Sequence, residues 1–211
     1  PEADKEASRR GNTALSREEL YNSVEKTTQL DSRFLILVFL SSIVVAIGLL
    51  EDNVAVVIGA MVIAPFLGPN IALALGSSLG DNQLIWQALK TNIAGMLLTI
   101  ALSIGLGSVW PYAIASKELL ARTDVGLDSI ALALASGAAA VLSLTTGLAS
   151  VLVGVMVAVA LLPPAATMGF MLGAGEYALA GSAGLLLAVN IVCVNLSAKL
   201  SFLLLGIKPR T

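Results

Sequence analysis

Prolines and glycines interrupt two long apolar runs of this chain, and backbone atoms freed by such interruptions can bind ions. A proline inside a helix removes one backbone hydrogen bond and costs about 3 kcal/mol. The freed carbonyl oxygens could coordinate a cation, and the amino end of a following helix could face an anion. The alternative is a kink that neighbouring helices repair. The residues concerned are Pro65, Gly68, Pro69 and Asn70 in the run VIGAMVIAPFLGPN, and Pro163 and Pro164 in the run VAVALLPPAA.

Amide and charged side chains close to these runs form a second set of candidates. Asn195 and Lys199 are four residues apart and share a helical face, and an ionisable residue inside a span is a functional candidate. Lys199 could instead extend to the membrane surface. The asparagines could bond neighbouring helices rather than a substrate. The set comprises Asn92, Asn190, Asn195 and Lys199, with Asp81 and Glu176 at span ends as interfacial charges or as the mouths of a pathway.

The sequence lacks the residues that several other kinds of chemistry require. The chain has no His and no Asp or Glu in the middle of an apolar run, where proton relays usually need them. It has no nucleotide-binding motif, nucleophile motif or metal-ligand cluster. The net charge is −2, without a basic cluster of the density that binds nucleic acid. Cys193 is expected to be a small core residue. We therefore expect no enzyme, cofactor, metal or nucleic-acid partner.

The composition places these residues in a lipid bilayer. The 211 residues are 57% hydrophobic and 12% charged, with a mean hydropathy of +0.90, whereas soluble domains are about 25% charged. A hydrocarbon core about 30 Å thick requires roughly 20 apolar residues of helix. An all-α polytopic membrane protein with six transmembrane helices is predicted. The spans are Phe34–Leu50, Val54–Leu79, Leu84–Trp110, Ser129–Leu144, Leu148–Gly173 and Ala178–Gly206.

Residues 1–33 form a polar tail before the first span. Pro1–Asn12 is predicted to be disordered. Ser16 and Glu19 form a capping-box pattern, and apolar residues then recur at helical spacing. An amphipathic helix over about Arg17–Leu30 is predicted, either at the membrane surface, against the bundle, or as a solvated linker.

The distribution of Lys and Arg predicts the orientation of the chain. With the N-terminus inside, only Lys117 and Arg122 lie on the outer side. Both termini are therefore expected in the cytoplasm. Trp86, Trp110, Tyr112 and Tyr177 fit interfacial positions at span ends. The inner-side charges nearest the spans are Lys26, Arg33, Lys90, Lys208 and Arg210.

A shift of 95 residues aligns the two interrupted runs, with VIGAMVIAPFLGP lying over LVGVMVAVALLPP. Two repeats are predicted, at 34–110 and 129–207, joined by a loop at 111–128. Three spans per repeat force the second unit to enter from the opposite side, so the repeats are inverted. The matched positions include Pro69 and Pro164, Gly80-Asp81 and Gly175-Glu176, and, after a slip of three residues, Asn92 and Asn190.

Helices two and five are accordingly predicted to be broken, at Ala64–Asn70 and at Leu161–Ala165, with the two breaks approaching one another. Non-helical backbone at membrane depth survives only where protein or a water-filled cavity shields it. Asn92 and Asn190 are the expected partners of the carbonyls freed by the prolines.

Three segments resemble a known membrane family. VIGAMVIAPFLGPNIALALG, ALLPPAATMGFMLGAG and LLLAVNIVCVNLSAKLSFLLLG are similar to those of the bacterial family called domain of unknown function 389. The resemblance covers roughly Leu30 to Gly206. It implies an integral protein of the bacterial inner membrane, or of the thylakoid membrane in a cyanobacterium, and it assigns no catalytic or binding residue.

We expect a transport protein, either a secondary transporter or a channel, with its pathway at the interface of the inverted repeats. The rival hypothesis is a membrane scaffold or regulatory subunit whose prolines are simple kinks. A cavity reaching the breaks favours transport, and a packed centre favours the scaffold. The missing acidic groups favour an anion or neutral solute, whereas freed carbonyls favour a cation. Spans with several small-residue faces suggest a homo-oligomer.

Overall fold

The computed structural model describes residues 18–110, 116–146 and 150–207, and within them all side chains except those of 145, 146, 150–156 and 159. The described residues form nine helices and no strand, so the predicted all-α class is confirmed. The predictions made for Pro1–Asn12, Ser16, Tyr112, Lys208 and Arg210 lie outside these residues. The helices are α1 (18–27), α2 (Ser32–Leu50), α3 (Val54–Ile63), α4 (Leu67–Leu79), α5 (Asn82–Val109), α6 (Lys117–Ala121), α7 (Leu127–Thr146), α8 (Ser150–Gly173) and α9 (Tyr177–Leu204).

Five candidate membrane spans stand out among the described residues. α2, α5, α7 and α9 are each long and apolar enough to cross a bilayer. α3 and α4 together pass the same test but meet at an angle of 59°. The described apolar part of α8, Ala160–Gly173, is shorter than a span. The protein is thus a helical membrane protein with four single-helix candidate spans and one bent pair.

Side-chain contacts define the two ends of the bundle. At the end that we call the N-terminal end, Tyr21 Oη of α1 donates a hydrogen bond to Asp81 Oδ2 in the α4–α5 turn, at 2.7 Å. At the opposite end, Ser116 Oγ, just before α6, donates to Asp52 Oδ1 in the α2–α3 turn, at 2.7 Å. The long helices alternate in direction between these ends.

α8 lies at the centre of the bundle. Leu161, Leu162 and Ala166 are each fully buried, and α8 contacts α2, α3, α4, α5, α7 and α9. It packs closely against α5, where a Cβ built on Gly169 would lie 2.5 Å from the carbonyl oxygen of Ile100. Glycine is therefore required for the two backbones to pack at this distance.

α1 packs against the bundle, so the solvated-linker alternative is wrong. Val24 is 3% exposed and Thr28 is fully buried. Thr91 Oγ1 of α5 donates to the carbonyl of Thr28 at 2.8 Å. The absence of a side chain at Gly68 lets the end of α1 approach α4, because a Cβ there would lie 2.5 Å from the carbonyl oxygen of Thr27.

The break in the second span is shorter than the sequence predicts. Ala64, Pro65 and Phe66 leave helical structure, whereas Gly68, Pro69 and Asn70 lie in the first turn of α4. Proline is tolerated there because first-turn amides have no partner within the helix.

The predicted break in the fifth span is wrong. α8 runs from Ser150 to Gly173 as one helix that contains both Pro163 and Pro164. Dense packing on every side holds this segment in helical geometry, and a side chain from α9 replaces one of the lost backbone hydrogen bonds.

Candidate functional site

The bend between α3 and α4 is fixed by a proline and an aromatic anchor. Ala64 is extended, with φ −66° and ψ 122°, because the residue before a proline is driven out of the helical region. Phe66 then begins the next helix without a side-chain cap. Its ring is 1% exposed and meets Phe34 edge to face at a centroid distance of 6.3 Å. The Phe66 ring packs on Gly95 of α5 and holds the bend against that helix. A Cβ at Gly95 would lie 2.9 Å from the ring, so glycine is needed for this contact.

Three asparagines form a hydrogen-bonded network beside this bend. Asn70 Nδ2 donates to Asn92 Oδ1 of α5 at 3.1 Å and to the carbonyl of Phe66 at 2.8 Å. Asn195 Nδ2 of α9 donates to Asn70 Oδ1 at 3.2 Å and to the carbonyl of Ile191 at 2.9 Å. Asn70 is only 1% exposed. The predicted site residues Asn70, Asn92 and Asn195 are thus brought together, and they join α4, α5 and α9.

A cavity of about 440 Å³ reaches the bend from the N-terminal end. Pro65, Leu67 and Gly68 form part of its wall. The charged lining residues lie where α1 leads into α2, and Leu144 of α7 closes another side. The charged members are Lys26, Asp31 and Arg33.

Asn190 replaces a backbone hydrogen bond that Pro164 removes from α8. Proline lacks the amide hydrogen that would bond the carbonyl four residues earlier, so Pro164 frees the carbonyl of Ala160. Asn190 Nδ2 of α9 donates to this carbonyl at 2.9 Å. Asn190 was predicted to bond a freed carbonyl and does so. Asn92, its counterpart in the repeat alignment, bonds the side chain of Asn70 instead.

A smaller cavity of about 40 Å³ adjoins this hydrogen bond between α9 and α8. Pro164, Ala160 and Asn190 line it, together with Arg122 from the turn after α6 at the opposite end. Asn190 Oδ1 and Arg122 Nε are both buried without a hydrogen-bond partner. Arg122 Nη2 donates to Glu118 Oε2 at 3.1 Å.

The remaining predicted residues lie apart from the bend. Lys199 is partly exposed and makes no hydrogen bond or ion pair within the described part of the chain. Asp81 caps α5, accepting hydrogen bonds from the amides of Gln83 and Leu84. Glu176 is exposed at the start of α9, at the opposite end of the bundle. The role of these residues in a pathway stays a prediction.

The Tyr21–Asp81 hydrogen bond shifts the pKa of both groups. The tyrosine hydroxyl lowers the pKa of the Asp81 carboxyl, and the amides of Leu84 and Gln83 add to this effect. The same hydrogen bond, with burial, raises the pKa of Tyr21 to about 12. The contact therefore favours a neutral tyrosine and an ionised aspartate, and it joins α1 to the α4–α5 turn.

Three positively charged lining residues were missing from the predicted site. Lys26, Arg33 and Arg122 served only to predict the orientation of the chain. Lys26 and Arg33 flank the start of a span, and Arg122 follows a short loop helix, so their spacing does not indicate a shared cavity. Only the packing of α1, α2 and α6 within the bundle brings them to the proline sites.

The family assignment follows from the sequence match. A family model described as domain of unknown function (DUF389) matches residues 61–196, more than half of the chain. The chain belongs to this family. The match includes the bend, the asparagine network and both prolines of α8, so these features lie within the DUF389 region.

One curated relative extends the comparison to the archaea. The uncharacterized protein MJ0678 of Methanocaldococcus jannaschii is 38% identical to this DUF389 chain over 209 residues, 99% of the chain. The chain spans 65% of the length of that relative. Because the relative is archaeal, the family is not restricted to bacteria. No solved structure matches the chain.

Proposed function

We propose that this DUF389 protein transports a small solute or ion, as a secondary transporter or a channel. The observation that carries the proposal is the approach of two cavities to the two proline sites from opposite ends of the bundle. The larger cavity reaches Pro65 and Gly68, and the smaller one reaches Pro164. Transporters built from inverted repeats bind their solute at the repeat interface beside interrupted helices. Here the second span is bent at Pro65, while the fifth keeps its prolines inside one helix.

Matching turns in the two halves support the inverted repeat within this proposal. Gly80 and Gly175 both adopt left-handed backbone, with φ of 74° and 84°. The amide of Asp81 bonds the carbonyl of Gly76, and the amide of Glu176 bonds that of Met171. A shift of 95 residues carries each partner of the first turn onto its counterpart in the second.

The proposed architecture has six spans, with α8 as the fifth crossing. Its 24 residues extend about 36 Å at 1.5 Å per residue, enough for a hydrocarbon core of about 30 Å. The proposed location is the cytoplasmic membrane, or the thylakoid membrane in a cyanobacterium, with both termini in the cytoplasm. Repeats of three spans each, with small-residue faces, are compatible with a homo-oligomer.

One specific observation supports the scaffold hypothesis. Around Pro163 and Pro164 the centre of the bundle is densely packed, since Leu161, Leu162 and Ala166 are fully buried. A scaffold needs only this packing, whereas a transporter needs the packing to open during its cycle.

Flux through reconstituted vesicles tests the proposal. The full chain is inserted into phosphatidylcholine vesicles loaded with salts of small ions or with glycerol, and release is followed after dilution. Leu144→Trp fills the larger cavity and should reduce the flux. Leu142→Trp, on the 51% exposed outer face of the same helix, is the matched control and should not.

Two outcomes would count against the proposal. An absence of protein-dependent release for every solute, with the protein folded and inserted, would contradict transport, and the scaffold hypothesis would then be preferred. Equal release from the Leu144→Trp and wild-type proteins would show that the solute does not pass through the larger cavity, so the proposed route would be wrong.

A further inference from the structure

The larger cavity is lined by more positive than negative charge. Lys26 and Arg33 lie in its wall, and neither makes an ion pair within the described part of the chain. Asp31 is the acidic lining residue, and its Oδ1 caps α2 by accepting the amide hydrogen of Phe34 at 2.8 Å. The cavity therefore presents two free cations beside a carboxylate that is already engaged.

The smaller cavity also contains a cationic donor. Arg122 keeps its Nε buried and unpaired beside Asn190 and Pro164. Its ion-pair partner, Glu118, is bound through Nη2 and is not part of the cavity wall. A water that accepts from Arg122 Nε and donates to Asn190 Oδ1 would satisfy both groups, and about 40 Å³ is sufficient for it.

Two backbone oxygen atoms beside the proline sites are already engaged. The carbonyl of Ala160, freed by Pro164, accepts a hydrogen bond from Asn190. The carbonyl of Phe66 accepts from Asn70, whose own Oδ1 accepts from Asn195. The buried Oδ1 atoms of Asn190 and Asn195 have no hydrogen-bond partner among the described residues, but neither residue lines the larger cavity. The freed carbonyl of Ala160 is therefore not available to a cation.

The amino end of α4 also favours an anion in the larger cavity. Leu67 and Gly68 of its first turn line the larger cavity, and Phe66 provides no side-chain cap. First-turn amides carry partial positive charge and lack partners within the helix. This orientation would help to retain an anion already attracted by Lys26 and Arg33.

We infer that the transported solute is a small anion, bound in the larger cavity by Lys26, Arg33 and the amino end of α4. This inference rests on the proposed transport function and gives it a substrate class. Arg122 provides the corresponding positive group at the opposite end. The volume of about 440 Å³ accommodates anions up to the size of hydrated phosphate.

Ion selectivity of the vesicle flux tests this inference. Phosphatidylcholine vesicles are loaded with isotopically labelled potassium chloride, potassium phosphate, choline chloride or glycerol, with the same unlabelled solute outside so that exchange keeps the charge balanced, and efflux of each labelled ion or solute is measured separately. We expect chloride or phosphate efflux to exceed that of potassium and choline. The double variant Lys26→Gln/Arg33→Gln should lower anion efflux roughly fivefold or more, as expected from loss of a charge-assisted contact.

Lys90→Gln is the matched control for the loss of charge. Lys90 is exposed, stacks over the Trp86 ring at 5.3 Å and lies outside both cavities. Its variant should keep the wild-type anion efflux. Elution as the wild-type species in size-exclusion chromatography and an unchanged helical circular dichroism spectrum establish that each variant is folded.

The possible results separate this inference from the transport proposal. Cation or glycerol efflux that Lys26→Gln/Arg33→Gln leaves unchanged would overturn the anion inference and keep transport. No efflux of any solute would overturn transport and the inference with it. Free phosphate and a phospholipid headgroup share one chemistry, so phosphatidylglycerol is added in a separate arm. If phosphatidylglycerol stabilises only the wild-type protein, and anion efflux is the same in the wild type and the double variant, the cavity binds a headgroup and the inference is wrong.

Discussion

At the scale of single residues, the Asn190 side chain replaces a backbone hydrogen bond, which the sequence alone could only suggest. Its amide replaces the backbone donor that Pro164 lacks, at the carbonyl of Ala160. Asn190→Ala should therefore leave a buried carbonyl unpaired and lower the free energy of unfolding by about 1 kcal/mol. Thermal or detergent-induced unfolding of the purified protein measures this loss.

A second substitution isolates the cause of that loss. Pro164→Ala restores an amide four residues after Ala160, so Asn190→Ala should be less costly in that background. Equal costs in the two backgrounds would show that Asn190 acts through packing and not through the freed carbonyl. Asn195→Ala, which does not contact α8 through its amide, should show no coupling to Pro164→Ala.

Residue chemistry also explains why one predicted break exists and the other does not. Pro65 follows Ala64, which becomes extended, and its bend is held by Phe66 packed on Phe34. Pro163 and Pro164 are adjacent, so the carbonyls they free are neighbours on one side of α8. Asn190 bonds one of these from α9. The sequence reveals prolines and their repeat positions, but not which carbonyl finds a partner on another helix.

At the scale of helices, close packing of α5 on α8 depends on glycine at position 169. Gly169→Ala would place a methyl group 2.5 Å from the carbonyl oxygen of Ile100, so the helices must separate. We expect a lower melting temperature in detergent. Gly105→Ala on α5 is the control, because a Cβ there meets no atom within 4 Å, and alanine favours helix by up to about 1 kcal/mol. Equal destabilisation by both changes would contradict the packing argument.

The docking of α1 should depend on pH through Tyr21 and Asp81. The lowered pKa of Asp81 means that the contact is stabilising above pH 3.8 and is lost as the pH falls further. Because the pKa of Tyr21 is raised to about 12, the Tyr21–Asp81 contact is also lost as the pH rises from 10 towards 12. A spin label introduced by Asn22→Cys, in a Cys193→Ala background, should become more mobile in both ranges.

The variant Tyr21→Phe checks this assignment. It removes the ionising hydroxyl, so the increase in label mobility between pH 10 and 12 should disappear. Persistence of that increase would assign the alkaline change to a different group. Because Tyr21→Phe also removes the hydrogen bond from α1 to Asp81, the increase in label mobility at acid pH should disappear too, although the amides of Gln83 and Leu84 still contact Asp81.

Helix boundaries were predictable because apolar runs and turn residues mark them directly. The first predicted span, Phe34–Leu50, differs from α2 by two residues at its start. The turn at Gly80-Asp81 ends α4 and caps α5 where the sequence indicates it. The cavities were not predictable, because Lys26 of α1 and Arg122 after α6 reach them only through tertiary packing.

At the scale of the whole molecule, the two ends of the bundle should label from opposite sides of the membrane. In a Cys193→Ala background, Gln29→Cys at the N-terminal end and Lys117→Cys at the opposite end each provide one exposed thiol. With cytoplasmic termini, an impermeant maleimide added to intact cells or spheroplasts should label Lys117→Cys only. Labelling of Gln29→Cys alone would reverse the orientation, and labelling of both would contradict a bundle that crosses the membrane.

The enclosure of α8 has a consequence for biosynthesis. The segment from Ala160 to Thr167 is buried on all sides, yet translation produces it before α9, which supplies part of that enclosure and the amide for Ala160. A nascent chain that stops before Tyr177 therefore leaves its central helix beside lipid, with an unpaired carbonyl. Ribosome progress through α9 is thus the step that completes the core, and truncated chains ending before it should be recognised by membrane quality control as unfinished.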